Sequence, residues 1–302
     1  MELHYVVVDV FTDTALKGNP LAVVMNAAGL TTERMQAIAR EFNLSETTFV
    51  ERRPAAVELA EGVRVRIFTT VEELDFAGHP TLGTASVLKL QAPETLRGEA
   101  VTLALNVGAV PVRFVGMLAD SKGLFGEMTQ RDPEFGAELA PKEVARLTGL
   151  ALKDLDPALP PQTVSTGTAF AIIALRSVDA LARLIVNQQE ATPWLRERGA
   201  RWFYVLAPTG EQPGSLEPAW RARMQFNGGE DPATGSAAGC AISYLVQRGA
   251  VPASQRIHVR QGVEIGRTSD LYLSARLESA RVTDVRVAGS TVLVAKGRLF
   301  LP

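Results

Sequence analysis

The stretch Asn227 to Gly239 reads NGGEDPATGSAAG: glycines, two adjacent acids, a proline, then small residues only. About half a chain length earlier, Gly78 to Ala85 reads GHPTLGTA. Residues 79–85 and 231–237 both fit x-Pro-x-x-Gly-[Ser/Thr]-Ala, an echo that predicts an internal duplication. Proline favours the first helical position and Asp is a preferred N-cap, so Asp231-Pro232 reads as a helix start. His79-Pro80 reads as the same start with a poorer capping residue. The following residues carry no formal charge from Thr234 to Gln247, and only His79 interrupts Ala77 to Leu88. A helix that is small or apolar on every side is a buried helix. Gly83, Gly235 and Gly239 each weaken a helix by ~1 kcal/mol relative to Ala, tolerable where something must approach the backbone closely. The expected fold is therefore α+β, with two pseudo-symmetric domains, each a curved sheet around a central buried helix.

The flanking sequence repeats the same plan. HYVVVDVF is a short Val-rich strand, KGNPL a turn, and LAVVM an apolar run. TTERMQAIAREFNL is a surface helix that Thr32 can cap, with Met35, Ile38, Ala39 and Phe42 on one face. ETTFVE and VRVRIFTT read as strands, the second alternating apolar and basic residues, and Val101 to Met128 holds further strands. Residues 130–161 read as a crossover, with RDPEFG a turn and PKEVARLTGL a short helix. The second half then gives a strand pair in TVSTGTAFAIIAL, a helix in VDALARLIVNQQ, and strands in RWFYVLAP and RARMQF. After the motif helix come four strand-like runs, RIHVRQG, LYLSARL, RVTDVRVAG and STVLVAKGRLFL.

Composition narrows the function classes. The 302 residues are 46% hydrophobic and 21% charged with net charge −2, which provides no field for nucleic acid or an anionic membrane. The single cysteine, Cys240, rules out an intrachain disulfide and fits a reducing compartment. No apolar run approaches the ~18 residues of a membrane helix, and MELHYVVVDV lacks a basic n-region and reads as a strand, not a signal peptide. The expectation is a soluble cytoplasmic protein with no nucleic-acid or membrane partner.

The helix starts are the expected functional points. Free N–H groups and the positive end of the dipole make an anion site there. With the two halves facing each other, N–H groups near Gly78-His79 and Gly235-Ser236 could hold a substrate carboxylate without Arg or Lys. His79 and Asp231 would line the same cleft, with Glu46, a lone acid opening the apolar strand in LSETTFV, as a third titratable candidate. Glu230 and the Arg221 to Arg223 and Arg196 to Arg201 clusters read as solvated. Cys240 reads as a buried small hydrophobe, and His4 and His258 as structural or exposed.

VDVFTDTALKGNPLAVV, NLSETTFV, FAGHPTLGTA and GGEDPATGSAAG, in this order, resemble the phenazine-biosynthesis PhzF-like family of the diaminopimelate-epimerase-like superfamily. The resemblance spans nearly the whole chain. It implies two β-barrel-like domains, residues 1–130 completed by a final strand at about 290–302, and residues 131–289. It also implies a homodimer, an active site between the domains, and no metal or organic cofactor. Carried over, Glu46 matches the general acid/base, His79 and Asp231 match polar catalytic partners, and Gly78, Gly235 and Ser236 match the carboxylate-binding turns. The superfamily's epimerases and racemases use two cysteines, one per motif helix; His79 and Asp231 stand at those starts here, which argues against a two-thiol racemase. The resulting expectation is a cofactor-independent isomerase of a small carboxylate, amino-acid-like or cyclic, with burial raising the pKa of Glu46. Two alternatives stay open: a non-catalytic carboxylate-binding protein, and a metal-dependent enzyme using Glu46, His79 and Asp231, a donor set that suits Fe or Mn.

Overall fold

The structure is a computed structural model, and it describes residues 1–114, 123–211 and 217–301. Residues 115–122, within the strand-bearing run from Val101 to Met128, lie outside the described residues. The chain divides into two compact units, Met1–Thr129 with Ala288–Pro302, and Gln130–Val287.

The first unit contains β1 (Glu2–Val10), β2 (Asn19–Val24), α1 (Thr32–Phe42), β3 (Glu46–Glu51), α2 (Ala55–Glu61) and β4 (Val63–Phe68). It continues through β5 (Glu73–Leu74), α3 (Gly78–Gln91), β6 (Leu96–Arg97), β7 (Ala100–Leu105), β8 (Gly108–Arg113) and β9 (Leu124–Thr129). The second contains β10 (Glu134–Glu138), α4 (Pro141–Thr148), β11 (Gln162–Ser165), β12 (Ala169–Ala174), α5 (Val178–Ala182), α6 (Gln188–Arg196) and β13 (Trp202–Pro208). Then follow β14 (Trp220–Arg223), β15 (Gln225–Phe226), β16 (Gly229–Glu230), α7 (Gly235–Gln247), β17 (Ile257–Gln261), β18 (Ser269–Glu278) and β19 (Arg281–Phe300).

The duplication expected from the motif echo is written in the strand pairing. In the first unit β1–β2 is antiparallel, β2–β3 parallel, β3–β4 antiparallel, β4–β7 parallel and β7–β8 antiparallel. In the second, β11–β12, β12–β13, β13–β14, β14–β17 and β17–β18 repeat that order of directions. Each parallel pair is joined through helix, as parallel strands require. The second parallel crossover of each unit is a motif helix, α3 or α7.

In the first unit the sheet closes on itself. β8 pairs with β9, β9 with β19, and β19 runs antiparallel to β1, so β1, β2, β3, β4, β7, β8, β9 and β19 form a ring of eight strands. α3 touches β1, β2, β3, β7, β8 and β9 and therefore fills the ring. Its residues from Gly78 to Leu88 are all buried, as its uncharged sequence dictates. Gly83 explains itself by close approach: an added Cβ would stand 2.6 Å from Leu21 Cδ2 and 2.7 Å from Val10 Cγ2. α1 packs outside, its Met35, Ile38 and Ala39 joining Phe49 and Phe68 in a second cluster. β4 alternates as its sequence predicts, with Val63, Val65 and Ile67 buried between half-buried Arg64 and Arg66.

In the second unit α7 lies against β11, β12 and β18 and is buried from Ala237 to Val246. Gly239 accommodates the side-chain amide of Gln130, which a Cβ there would strike. A separate cluster packs α4, α5 and α6 against β12 and β13 through Leu147, Leu181, Leu195, Ile173 and Phe203.

Several local expectations are corrected. Thr31, not Thr32, caps α1, its hydroxyl accepting from Arg34 N at 3.3 Å. VDALARLIVNQQ is not one helix: α5 stops at Ala182 because the Arg223 guanidinium bonds the carbonyls of Leu181 and Ala182. RDPEFG is only partly a turn, since Phe135 pairs with Val164 in β10. The last two strand-like runs are one strand, β19, continuous through Gly289. The short helix α2, AAVELAE, has no counterpart among the sequence expectations.

Candidate active site

Three polar side chains meet at one end of the first unit. Asn19 opens β2, Glu46 opens β3 opposite Leu21, and His79 sits in the first turn of α3. Glu46 Oε2 lies 3.4 Å from His79 Nε2, and the side chains are 16% and 5% exposed. On the other side of the ring, Asn19 Nδ2 stands 3.2 Å from His79 Nδ1. Burial pushes the His79 imidazole down to about 3, the Pro20 carbonyl opposing this weakly, so the ring is neutral near pH 7. The positive end of the α3 dipole acts in the same direction as burial. The Glu46–His79 contact thus lies within ion-pair distance but joins a carboxyl group to an uncharged ring. Its geometry does not meet hydrogen-bond criteria at Nε2 either. Gly78, the first residue of α3, places a buried backbone N–H beside His79.

The sequence does not single out Asn19, although KGNPL reads as a turn. The signal available was the polar residue before proline at the mouth of an apolar run. The preceding loop is built around Asp9, buried in β1, whose Oδ2 accepts from Leu16 N at 2.6 Å.

The second motif is placed differently from its sequence expectation. Asp231 does not cap a helix: α7 begins at Gly235, with Thr234 at the N-cap position and no side-chain cap bond. The residues between are held out of the helix by Gln261 at the end of β17. Its Nε2 donates to Asp231 O at 2.8 Å and Thr234 Oγ1 at 3.0 Å, and its Oε1 accepts from Thr234 N at 3.2 Å. The Thr234 hydroxyl donates to Asp231 Oδ2 at 2.7 Å. Gly235 and Ser236 are the first two residues of α7, so their N–H groups have no intrahelical acceptor. Gln130 Nε2 donates to Gly235 O at 2.9 Å, and its Oε1 accepts from Thr166.

Glu230 is not solvated, contrary to expectation. It forms a two-pronged pair with Arg223 at 2.9 and 2.7 Å, the two side chains being only 7% and 8% exposed. Arg221 is likewise engaged, donating to Glu264 at 2.7 Å. The Arg196 to Arg201 cluster is exposed, as expected. His258 is structural, 2.7 Å from Asp270 and stacked on Tyr272.

A family model described as phenazine biosynthesis-like protein, PhzC-PhzF, matches residues 8–297. The chain belongs to this family. It is 36% identical over 301 residues to the trans-2,3-dihydro-3-hydroxyanthranilate isomerase of Pseudomonas aeruginosa, with 99% of each chain covered. A PhzF family protein of Bacillus anthracis, of known structure, matches with TM-score 0.86 and 26% identity over all of both chains. A probable proline racemase from Agrobacterium radiobacter shares the fold alone, with TM-score 0.64 and 11% identity over 99% of this chain and 93% of that one. This PhzF-like chain is an isomerase.

Other features of the family member bear on its chemistry. Cys240 is buried in α7, its thiol 3.5 Å from Thr166 Oγ1 and 3.6 Å from Thr168 O. Burial pushes that thiol up to about 11, with Thr166 pulling the other way. A thiol so held is a poor nucleophile near neutrality. Among the described residues, no group of three or more His, Cys, Asp or Glu is arranged to hold a metal ion, and no helix is long and apolar enough to cross a membrane.

Proposed function

We propose that this isomerase moves a proton on a small carboxylate substrate by general acid/base catalysis, without a metal or organic cofactor. Glu46 takes the proton from one carbon and returns it to another, or to the other face of the same carbon. His79, kept neutral, polarises or orients the substrate, and Asp231 is a second polar partner. The N–H groups of Gly78, Gly235 and Ser236 hold the carboxylate. The single observation that carries this reading is the pairing of Glu46 with an uncharged His79 at 3.4 Å, at the opening of a buried helix. A carboxyl group and a neutral imidazole can exchange proton roles with a substrate without a net charge being created in a buried site.

The substrate class is an amino-acid-like or cyclic amino-carboxylate. The Pseudomonas aeruginosa relative, named for trans-2,3-dihydro-3-hydroxyanthranilate, supports this class. The protein is further proposed to work as a cytoplasmic homodimer. The test is solvent-deuterium incorporation in D2O across a panel of amino acids and cyclic amino-carboxylates that includes this compound, read by mass spectrometry. Incorporation that falls by about 10²–10⁴-fold in Glu46→Gln, with binding retained, supports the mechanism. Compounds that bind wild-type protein but never exchange would overturn it.

A further inference from the structure

The chain around Asp231 contains a hydrogen-bond wire whose direction can be read without assumption. A side-chain amide and a hydroxyl can each turn either way, so their partners set their direction. Here two backbone groups fix them. The Thr234 N–H can only donate, so the atom it meets on Gln261 at 3.2 Å is the amide oxygen. The Asp231 carbonyl can only accept, so the atom it meets at 2.8 Å is the amide nitrogen. A third partner agrees: Tyr204 OH donates to Gln261 Oε1 at 3.1 Å. Tyr204 is fully buried, and burial, with Asp231 and Cys240 nearby, raises its phenol far above its ordinary value, so it stays a donor.

With the amide fixed, Thr234 Oγ1 receives an N–H from Gln261 at 3.0 Å. Its single proton is then committed to Asp231 Oδ2 at 2.7 Å. A hydroxyl has one donor and this one has one remaining acceptor. Gln261 is entirely buried and Thr234 nearly so, where a misdirected polar group costs the most.

We infer that Gln261 and Thr234 are positioning residues for Asp231: the buried amide makes the Thr234 hydroxyl an obligate donor to the carboxylate, so that Asp231 serves as a hydrogen-bond acceptor. This inference rests on Asp231 taking part in the proposed reaction. It also explains why Asp231 forgoes the helix cap its sequence offers: the acceptor side of its carboxyl group is turned to the Thr234 hydroxyl, and Gln261 takes the backbone groups that a cap would have used.

The experiment follows the Asp231 carboxyl carbon through a pH titration by 13C NMR in the full chain, which needs no substrate. Removing a hydrogen bond to the charged form makes protonation easier. Thr234→Val is expected to move the Asp231 midpoint upward by about one pH unit, roughly a tenfold gain in proton affinity, while Thr234→Ser leaves it near wild type. Gln261→Met, which frees the hydroxyl to rotate, is expected to move it in the same direction by less. Of the titratable groups, Tyr204 is within electrostatic reach of Asp231, and the Arg223–Glu230 pair lies beside it in the chain; Thr234→Val and Thr234→Ser alter none of these side chains. An unmoved midpoint in Thr234→Val overturns the inference, as does a Thr234→Ser chain shifted as far as the valine variant. Should Gln261→Met fail to fold, the Thr234 pair still decides. A wire that behaves as stated, in a protein whose Asp231→Asn variant exchanges deuterium at the wild-type rate, would refute the proposed role of Asp231 and leave the wire standing.

Discussion

Glu46 and His79 face one another at 3.4 Å across the mouth of α3, and the imidazole carries no charge at neutral pH. The stability of the fold is tied to that state. The folded ring takes a proton only at about 3, whereas the unfolded chain takes one near the ordinary value of 6.5. Between those values the unfolded state holds the extra proton, so the contribution of His79 is full above about 6.5 and is lost as pH falls toward about 3. In urea titrations across that window, stability is expected to fall with a slope of at most about 1.4 kcal/mol per pH unit from this group. The same series on His79→Gln should lack that component; an identical slope in both proteins would show that His79 is protonated in the fold.

Arg223 and Glu230 form a pair that is almost wholly buried, and the guanidinium also binds the Leu181 and Ala182 carbonyls that end α5. Removing one member strands the other charge. Glu230→Gln or Arg223→Met is expected to cost about 3–5 kcal/mol in guanidinium unfolding. The double variant Arg223→Met with Glu230→Leu should recover part of that loss, because neither charge then remains buried alone. Losses that simply add would mean the two side chains are not coupled.

Gly83 lies in a helix yet is held there by its neighbours. Ala is the better helix former by ~1 kcal/mol, so propensity alone makes Gly83→Ala stabilising. The approach of Leu21 and Val10 to within 2.7 Å of the added carbon reverses the sign. Gly83→Ala is expected to destabilise by about 1–3 kcal/mol, the usual penalty of overpacking. A higher melting temperature in the variant would show that the ring has slack around α3.

Cys240 is expected to be chemically silent in the fold. Its buried thiol, raised to about 11, should react with a disulfide reagent near neutral pH only after unfolding. Cys240→Ala should keep deuterium exchange within about threefold of wild type if the thiol takes no part in proton transfer. A variant that loses exchange while remaining folded would place the thiol in the reaction.

What could be read from the sequence was whatever depended on residues near each other in the chain. The uncharged runs after Gly78 and Thr234 announced buried helices, and the motif echo announced a repeated pairing order. What failed depended on partners far along the chain. Asp231-Pro232 has the local chemistry of a helix start, but Gln261, from a later strand, takes the backbone groups and moves the start to Gly235. Glu230 and Arg223 looked like surface charges because nothing nearby in sequence says that their partners are each other and three α5-end carbonyls. Glu46 and His79 could each be marked as out of place, one an acid opening an apolar strand, the other a poor cap. Asn19 offered only the weaker signal of a polar residue before a proline, because its role depends on a histidine sixty positions away.

The long strand β19 has a consequence for how the molecule is made. Its residues from Ala288 onward belong to the first unit, where they lie between β9 and β1 and complete the ring. During synthesis, β1 and β9 leave the ribosome long before that strand does. The ring around α3 must wait, with two unpaired strand edges, until the whole second unit has been translated. Unpaired edges invite misassociation, so the order of synthesis makes this the aggregation-prone interval of the chain's life. The second unit, translated in between, has the opportunity to fold first, and the strand that leaves it carries the chain back to finish what was begun at the other end.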